Sequence, residues 1–151
     1  MSIQYVLASD IDDTLTGDSA ALHSLAGELT RLRDQGALFL ILSTGRRLNQ
    51  VMDGYESEGI PFGDAVVSQV GTEIYLPPYA VGMPPLKEWD ELLHADFSRE
   101  EAVSFLSGVE GLEMQPEKYN TPLKVSCYLD KASEPDAAAD EVKKRAAAAG
   151  G

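Results

Sequence analysis

The sequence predicts an α/β fold in three layers, an open parallel sheet with helices on both faces, followed by a smaller α+β unit. Residues 4–9, 38–42 and 65–68 are short apolar runs of the kind that strands of a parallel sheet make when both faces are covered. Helical spacing fills the stretches between them. The resulting alternation of strand, helix, strand, helix, strand implies right-handed crossovers within one sheet. The third observation is a change of grammar near residue 77, where prolines interrupt the chain and shorter elements follow.

The elements follow in order. Tyr5, Val6, Leu7 and Ala8 hand over at Ser9 and Asp10 to a loop, residues 10–18, dense in carboxylates and hydroxyls. From Ser19 onward Leu22, Leu25, Leu29 and Leu32 recur at helical spacing, and Gly36 is a natural stop. The second strand ends in Ser43-Thr44-Gly45-Arg46. A second helix runs from about Leu48 to Glu58 and is closed by Gly59 and Pro61. After the third strand, Gly71 to Leu76 reads as a short strand or hairpin arm. Pro77, Pro78, Pro84 and Pro85 punctuate an irregular stretch. Residues 86–96 suit a helix with Trp89 and Leu92 or Leu93 inward. Ser98 with Glu101 is a capping signal for another helix that ends near Gly108. Residues 124–129 read as a strand and the alanine-rich segment 135–149 as a helix. The boundary falls within 77–86, which gives residues 1–80 as the α/β part and 81–151 as the α+β part.

The chain has 151 residues and a net charge of -13. That charge disfavours nonspecific attraction to nucleic acid or anionic lipid. It leaves room for a phosphorylated substrate, because a bound cation reverses the field locally. No apolar run approaches membrane-spanning length and no basic leader is present, so a soluble cytoplasmic protein without a nucleic-acid or membrane partner is expected. Cys127 is the single cysteine, which excludes an intrachain disulfide, and its setting reads as a small strand side chain. His23 and His94 read as surface or packing residues. Trp89 suits either core packing or stacking on a sugar ring.

Ligands of open parallel sheets bind beyond the carboxyl ends of the strands, and Asp10 and Thr44 both stand at such ends. Asp10 and Asp12 crowd two carboxylates into one loop, which favours a bound cation, and hard oxygen donors point to magnesium. A phosphoryl group held there would meet Asp10 as a nucleophile, with Asp12 as general acid and base. Thr44 offers a hydroxyl and an N–H to phosphate, and Gly45 allows close backbone approach. Arg46 suits two roles, facing the phosphate or pairing with a surface carboxylate. The run Asp12, Asp13, Thr14 also suits a plain solvated turn before a helix.

The run Asp10-Ile11-Asp12-Asp13-Thr14-Leu15 resembles the first motif of the haloacid dehalogenase superfamily. Ser43-Thr44-Gly45-Arg46 resembles its second motif in the branch with sugar phosphatases. Gly71-Thr72-Glu73-Ile74-Tyr75 looks like the segment that follows the third core strand there. Residues 122–130 are similar to a cap strand of sucrose-phosphate phosphatases. The resemblance implies a Rossmann-like core in residues 1–80 and a cap in 81–151. It implies Asp10 as nucleophile and magnesium ligand, and Asp12 as general acid and base with its carbonyl on the metal. Thr44 and Gly45 would hold the phosphoryl group, and Lys124 would contact the sugar phosphate, with Ser126 a further candidate on the same strand face. Read without the resemblance, Lys124 is an ordinary solvated strand lysine. The expected reaction is hydrolysis of a sugar-phosphate monoester, sucrose 6-phosphate among the candidates. A mannosyl-3-phosphoglycerate, glucosylglycerol phosphate or other polyol phosphatase is the alternative. The branch also carries a later lysine and a G-D-x-x-N-D segment that nothing here matches. The expectation is therefore a core incomplete at its C-terminal side, completed by a missing segment or a second chain, or else a binding protein that keeps the fold without the chemistry.

Overall fold

The computed structural model describes residues 3–149. Strand β1 (Tyr5–Ser9) leads to helix α1 (Ser19–Asp34), β2 (Leu38–Ser43), α2 (Leu48–Ser57), β3 (Ala65–Ser68) and β4 (Glu73–Tyr75). These strands form one sheet in the order β1-β2-β3-β4. The first three are parallel, as the apolar runs require, and β4 folds back antiparallel on β3. The α/β expectation is met. Helix α3 (Lys87–Asp96) then spans the junction between two compact units, the first ending at Glu91 and the second beginning at Leu92.

The helix boundaries follow local chemistry. Asp18 caps α1, its Oδ1 accepting from the backbone N–H groups of Ala20 and Ala21, each at 3.0 Å. Gly36 ends that helix with φ 67°, a left-handed turn that places the Ala37 N–H on the Leu32 carbonyl. At the start of α2 the Gln50 side chain accepts from the Arg47 N–H at 2.9 Å.

Partner residues in the parallel register share a sheet face, so Leu38, Leu40 and Leu42 line up with Tyr5, Leu7 and Ser9. On β2 that face carries the core, whereas on β1 Tyr5 and Leu7 of the same face are exposed. Leu40, Leu42, Val51 and Val66 are fully buried, joined by Leu22 and Leu29 of α1 and Leu48 of α2. The opposite face is covered less than expected. Phe39 and Ile41 are half-buried and Val6 is 67% exposed. Strand β1 is also one of the two edges of the sheet among the described residues, with β4 the other, although β1 is as apolar as an interior strand.

A partly buried ion pair ties the first unit together. Asp64, just before β3, accepts from Arg33 of α1 at 2.7 and 2.8 Å and from the Leu40 N–H of β2 at 2.8 Å. Beside it, Phe62 stacks on Tyr79 with ring centroids 5.0 Å apart. The Tyr79 hydroxyl donates to the Gly63 carbonyl at 2.9 Å.

The second unit contains α4 (Arg99–Leu106), β5 (Leu112–Met114), β6 (Cys127–Leu129) and α5 (Pro135–Ala148). Strands β5 and β6 pair antiparallel. Strand β6 is shorter than expected. Thr121 and Lys124 close a tight turn through reciprocal backbone bonds, and the Asn120 side chain takes the Ser126 N–H at 2.7 Å. Strand pairing starts at Cys127, although the Ser126 carbonyl still accepts from the Gln115 N–H at 2.9 Å, and Lys124 lies at the end of the turn from Thr121 instead of in the strand expected over 124–129. Arg145 of α5 donates to the carbonyl of Ser107 at 2.7 Å, fastening that helix to the end of α4.

Candidate active site

The acidic loop is shaped by its apolar residues. Ile11 is fully buried and Leu15 nearly so, which pegs the loop into the core and leaves Asp10 and Asp12 on either side of Ile11 exposed to solvent. The Ile11 carbonyl accepts from the N–H groups of Leu15 and Thr16 at 3.0 and 2.9 Å and from the Thr16 hydroxyl at 3.1 Å. Asp13 takes the left-handed turn position at φ 57°, which a short polar side chain tolerates. The two carboxylates therefore stand on a turn fixed from below, immediately after β1.

Ser9 pairs with Leu42, so Asp10 at the end of β1 lies beside the end of β2, where Thr44 follows. Thr44 is buried, and its N–H donates to the Val67 carbonyl of β3 at 2.9 Å. Its hydroxyl oxygen accepts from the Arg46 N–H at 3.1 Å, which leaves the hydroxyl proton to be donated elsewhere. The carbonyls of Thr44 and Arg46 accept from the N–H groups of Val70 and Gln69, each at 3.1 Å. The loop of residues 44–46 is thus clamped between the ends of β2 and β3.

Arg46 pairs with two carboxylates. Its guanidinium bonds both oxygens of Asp12, at 2.7, 3.1 and 3.1 Å, and both oxygens of Glu58 at the end of α2, one at 3.0 Å. The bonds to Glu58 and then Asp12 raise the guanidinium still further above its ordinary range, and Arg46 in turn holds the Glu58 carboxyl below the usual range. Glu58 gave no signal in the sequence, where it stands 12 residues from Arg46 as an unremarkable helix-end acid. A second unforeseen group lies beside the loop. Glu73 of β4 accepts from the Ser68 hydroxyl at 2.9 Å and the Tyr75 hydroxyl at 3.0 Å. Burial, then Glu73, pushes the Tyr75 hydroxyl up.

Asp10, Asp12, Thr44, Gly45 and Arg46 thus come together at neighbouring strand ends of the first unit. Lys124 and Ser126 belong to the second unit, both half-buried around the turn before β6. His23 is exposed on α1. Trp89 is half-buried, with its ring N–H on the Gly71 carbonyl at 2.9 Å. Cys127 is a free thiol near Met114, and burial pushes its pKa up, away from nucleophilic chemistry.

The oxygen donors of Asp10 and Asp12 are of the type magnesium takes, and their exposure at a fixed turn suits a hydrated cation. They supply a minority of an octahedral shell. Among the described residues no group of three or more His, Cys, Asp or Glu side chains is gathered closely enough to hold a metal ion. Among the same residues no helix is long and apolar enough to cross a membrane.

The sequence profile of a family described as sucrose-6F-phosphate phosphohydrolase matches residues 3–149. Among solved structures, the sucrose-phosphatase of Synechocystis sp. PCC6803, determined in complex with sucrose and phosphate, matches with a TM-score of 0.84 and 26% identity. That match covers 97% of this chain and 57% of the other. A haloacid dehalogenase-like hydrolase protein of Bacillus subtilis matches with a TM-score of 0.59 and 19% identity, covering 97% of this chain and 56% of that one, a likeness of fold. The chain spans little more than half the length of either.

Proposed function

The chain belongs to the sucrose-6F-phosphate phosphohydrolase family, and from that premise we propose a magnesium-dependent phosphatase that hydrolyses a sugar-phosphate monoester through an aspartyl-phosphate on Asp10. Sucrose 6-phosphate is the first substrate to test. The observation that carries the reading is the convergence of Asp10, Asp12 and Thr44 at adjacent strand ends. The Synechocystis sucrose-phosphatase, solved with sucrose and phosphate, supports the substrate class.

In this reading a carboxylate oxygen of Asp10 attacks phosphorus as the bond to the sugar oxygen breaks, and Asp12 delivers a proton to that oxygen. Asp12 then takes a proton from water, whose oxygen attacks the phosphorus. Phosphate leaves and Asp10 is restored. Asp12 is paired with Arg46 before substrate arrives, so it first leaves that pair and takes up a proton from solvent, and then delivers that proton to the sugar oxygen. Thr44 donates its hydroxyl proton to a phosphoryl oxygen, and Gly45 lets the phosphate approach the backbone. Asp10 and Asp12 would hold the magnesium ion, which when bound offsets the negative charge of the phosphoryl group. The second unit serves as the cap, with Lys124 and Ser126 as candidate contacts to the sugar. The apolar open edge of β1 supports a further segment or a second chain that extends the sheet and supplies the remaining metal ligands. A cytoplasmic setting completes the reading.

The test is made on the intact protein with magnesium and sucrose 6-phosphate. Phosphate release, and a phosphoryl group trapped on Asp10 by rapid quench and mass spectrometry, are the expected results. Asp10→Asn should lose more than about a thousandfold in turnover with the fold retained. Full activity in that variant, or covalent phosphate on another residue, overturns the mechanism.

A further inference from the structure

Resting on the phosphatase reading, we propose that Val70 is a specificity-determining residue, an apolar lip at the phosphate loop that contacts the carbon skeleton of the ester. The motivating feature is its backbone. Gln69 and Val70 follow β3 at φ 52° and φ 62°, and Val70 has ψ 37°, a left-handed conformation that a β-branched side chain adopts only under strain. The strain purchases no burial for Val70, whose side chain is 75% exposed.

What the conformation does achieve is local to the site. It aims the Val70 N–H at the Thr44 carbonyl and the Gln69 N–H at the Arg46 carbonyl, each at 3.1 Å. It also brings the isopropyl group over the loop. A Cβ placed on Gly45 would lie 3.8 Å from Val70 Cγ2, ordinary contact distance. Glycine or asparagine would hold the two backbone bonds with less strain. The backbone alone therefore does not account for valine, and the remaining candidate for its role is what the exposed methyl groups touch. Beside Gly45 they border the ester as it leaves the phosphate position, where the first carbons of a phosphorylated sugar lie. A half-covered apolar contact of this kind raises affinity modestly and discriminates by shape.

The test separates this contact from the loop geometry and from the phosphatase reading. The intact protein, with magnesium, is titrated with sucrose 6-phosphate for its KM and with inorganic phosphate for its inhibition constant. The titrations are repeated with Val70→Gly and Val70→Asn. The expected result is a weakening of about three- to tenfold for the sugar phosphate and none for inorganic phosphate. The thermal midpoints of the Val70 variants should be no lower than that of the parent. Unchanged affinity for both ligands overturns the proposal, and so does an equal loss for both, which would make Val70 a brace of the loop alone. A lowered thermal midpoint in both variants overturns the strain argument behind it. Failure of the parent protein to bind either ligand overturns the phosphatase reading itself.

Discussion

Asp64→Asn should destabilise the first unit by about 2–3 kcal/mol at about pH 7, a range worked from its contacts. Asp64 accepts two charge-assisted bonds from Arg33 and one from the Leu40 N–H. The side chains are 25% and 17% exposed, so water replaces part of what is lost. An exposed pair would contribute at most about 1 kcal/mol, and breaking a fully buried one would cost about 3–5. The amide keeps size and can still accept from Leu40, so the loss is that of the charged pair. The pH dependence gives a second reading. Burial pushes the Asp64 carboxyl up, but the Arg33 bonds, the Leu40 N–H and the Arg33 charge together outweigh it, and the carboxyl is lowered in the folded state. A lowered folded value means that the contribution is fully present above the unfolded value of about 3.9. It is lost as pH falls through the folded one. Urea denaturation of both proteins from about pH 7 to about pH 3 should show a gap that narrows in the acid range. A gap below about 0.5 kcal/mol at neutral pH, or one that stays constant into acid, would refute the reasoning.

Two further outcomes concern the acidic loop. A double-mutant cycle of Arg46→Ala and Glu58→Gln should give a coupling of about 0.5–1.5 kcal/mol that shrinks with added salt. Arg46 is 16% exposed but Glu58 is 34% exposed, so a salt-independent coupling would contradict the geometry. Calorimetry with magnesium should show weak binding to this chain, in the range of about a millimolar, because Asp10 and Asp12 supply few of the ligands. Asp10→Asn should abolish the heat, and equal heats in both proteins would remove Asp10 from the metal site.

The elements that position the candidate site were legible in the sequence because their causes are local. An apolar run such as residues 38–42 can satisfy its backbone and bury its side chains in few ways, and Asp18 and Gly36 mark helix ends through bonds made within a few residues. Asp10 and Thr44 could be placed together because parallel strands joined by crossovers bring their carboxyl ends to one edge. The pairing of Arg46 was not local. It depended on Glu58 and Asp12 arriving from 12 and 34 residues away. The Arg33–Asp64 pair bridges 31 residues and likewise left no pattern to read. The shortening of β6 turned on Asn120 capturing one backbone N–H. Val70 is the extreme case, since its intrinsic preference opposes the conformation that the chain closure between β3 and β4 imposes on it. Sequence by itself determined the sheet, its crossovers and the cluster of carboxylates, all set by periodicity and short-range capping. Tertiary structure alone decided which charges pair and where strain is held, because those depend on contacts between distant residues that form only once the chain has closed.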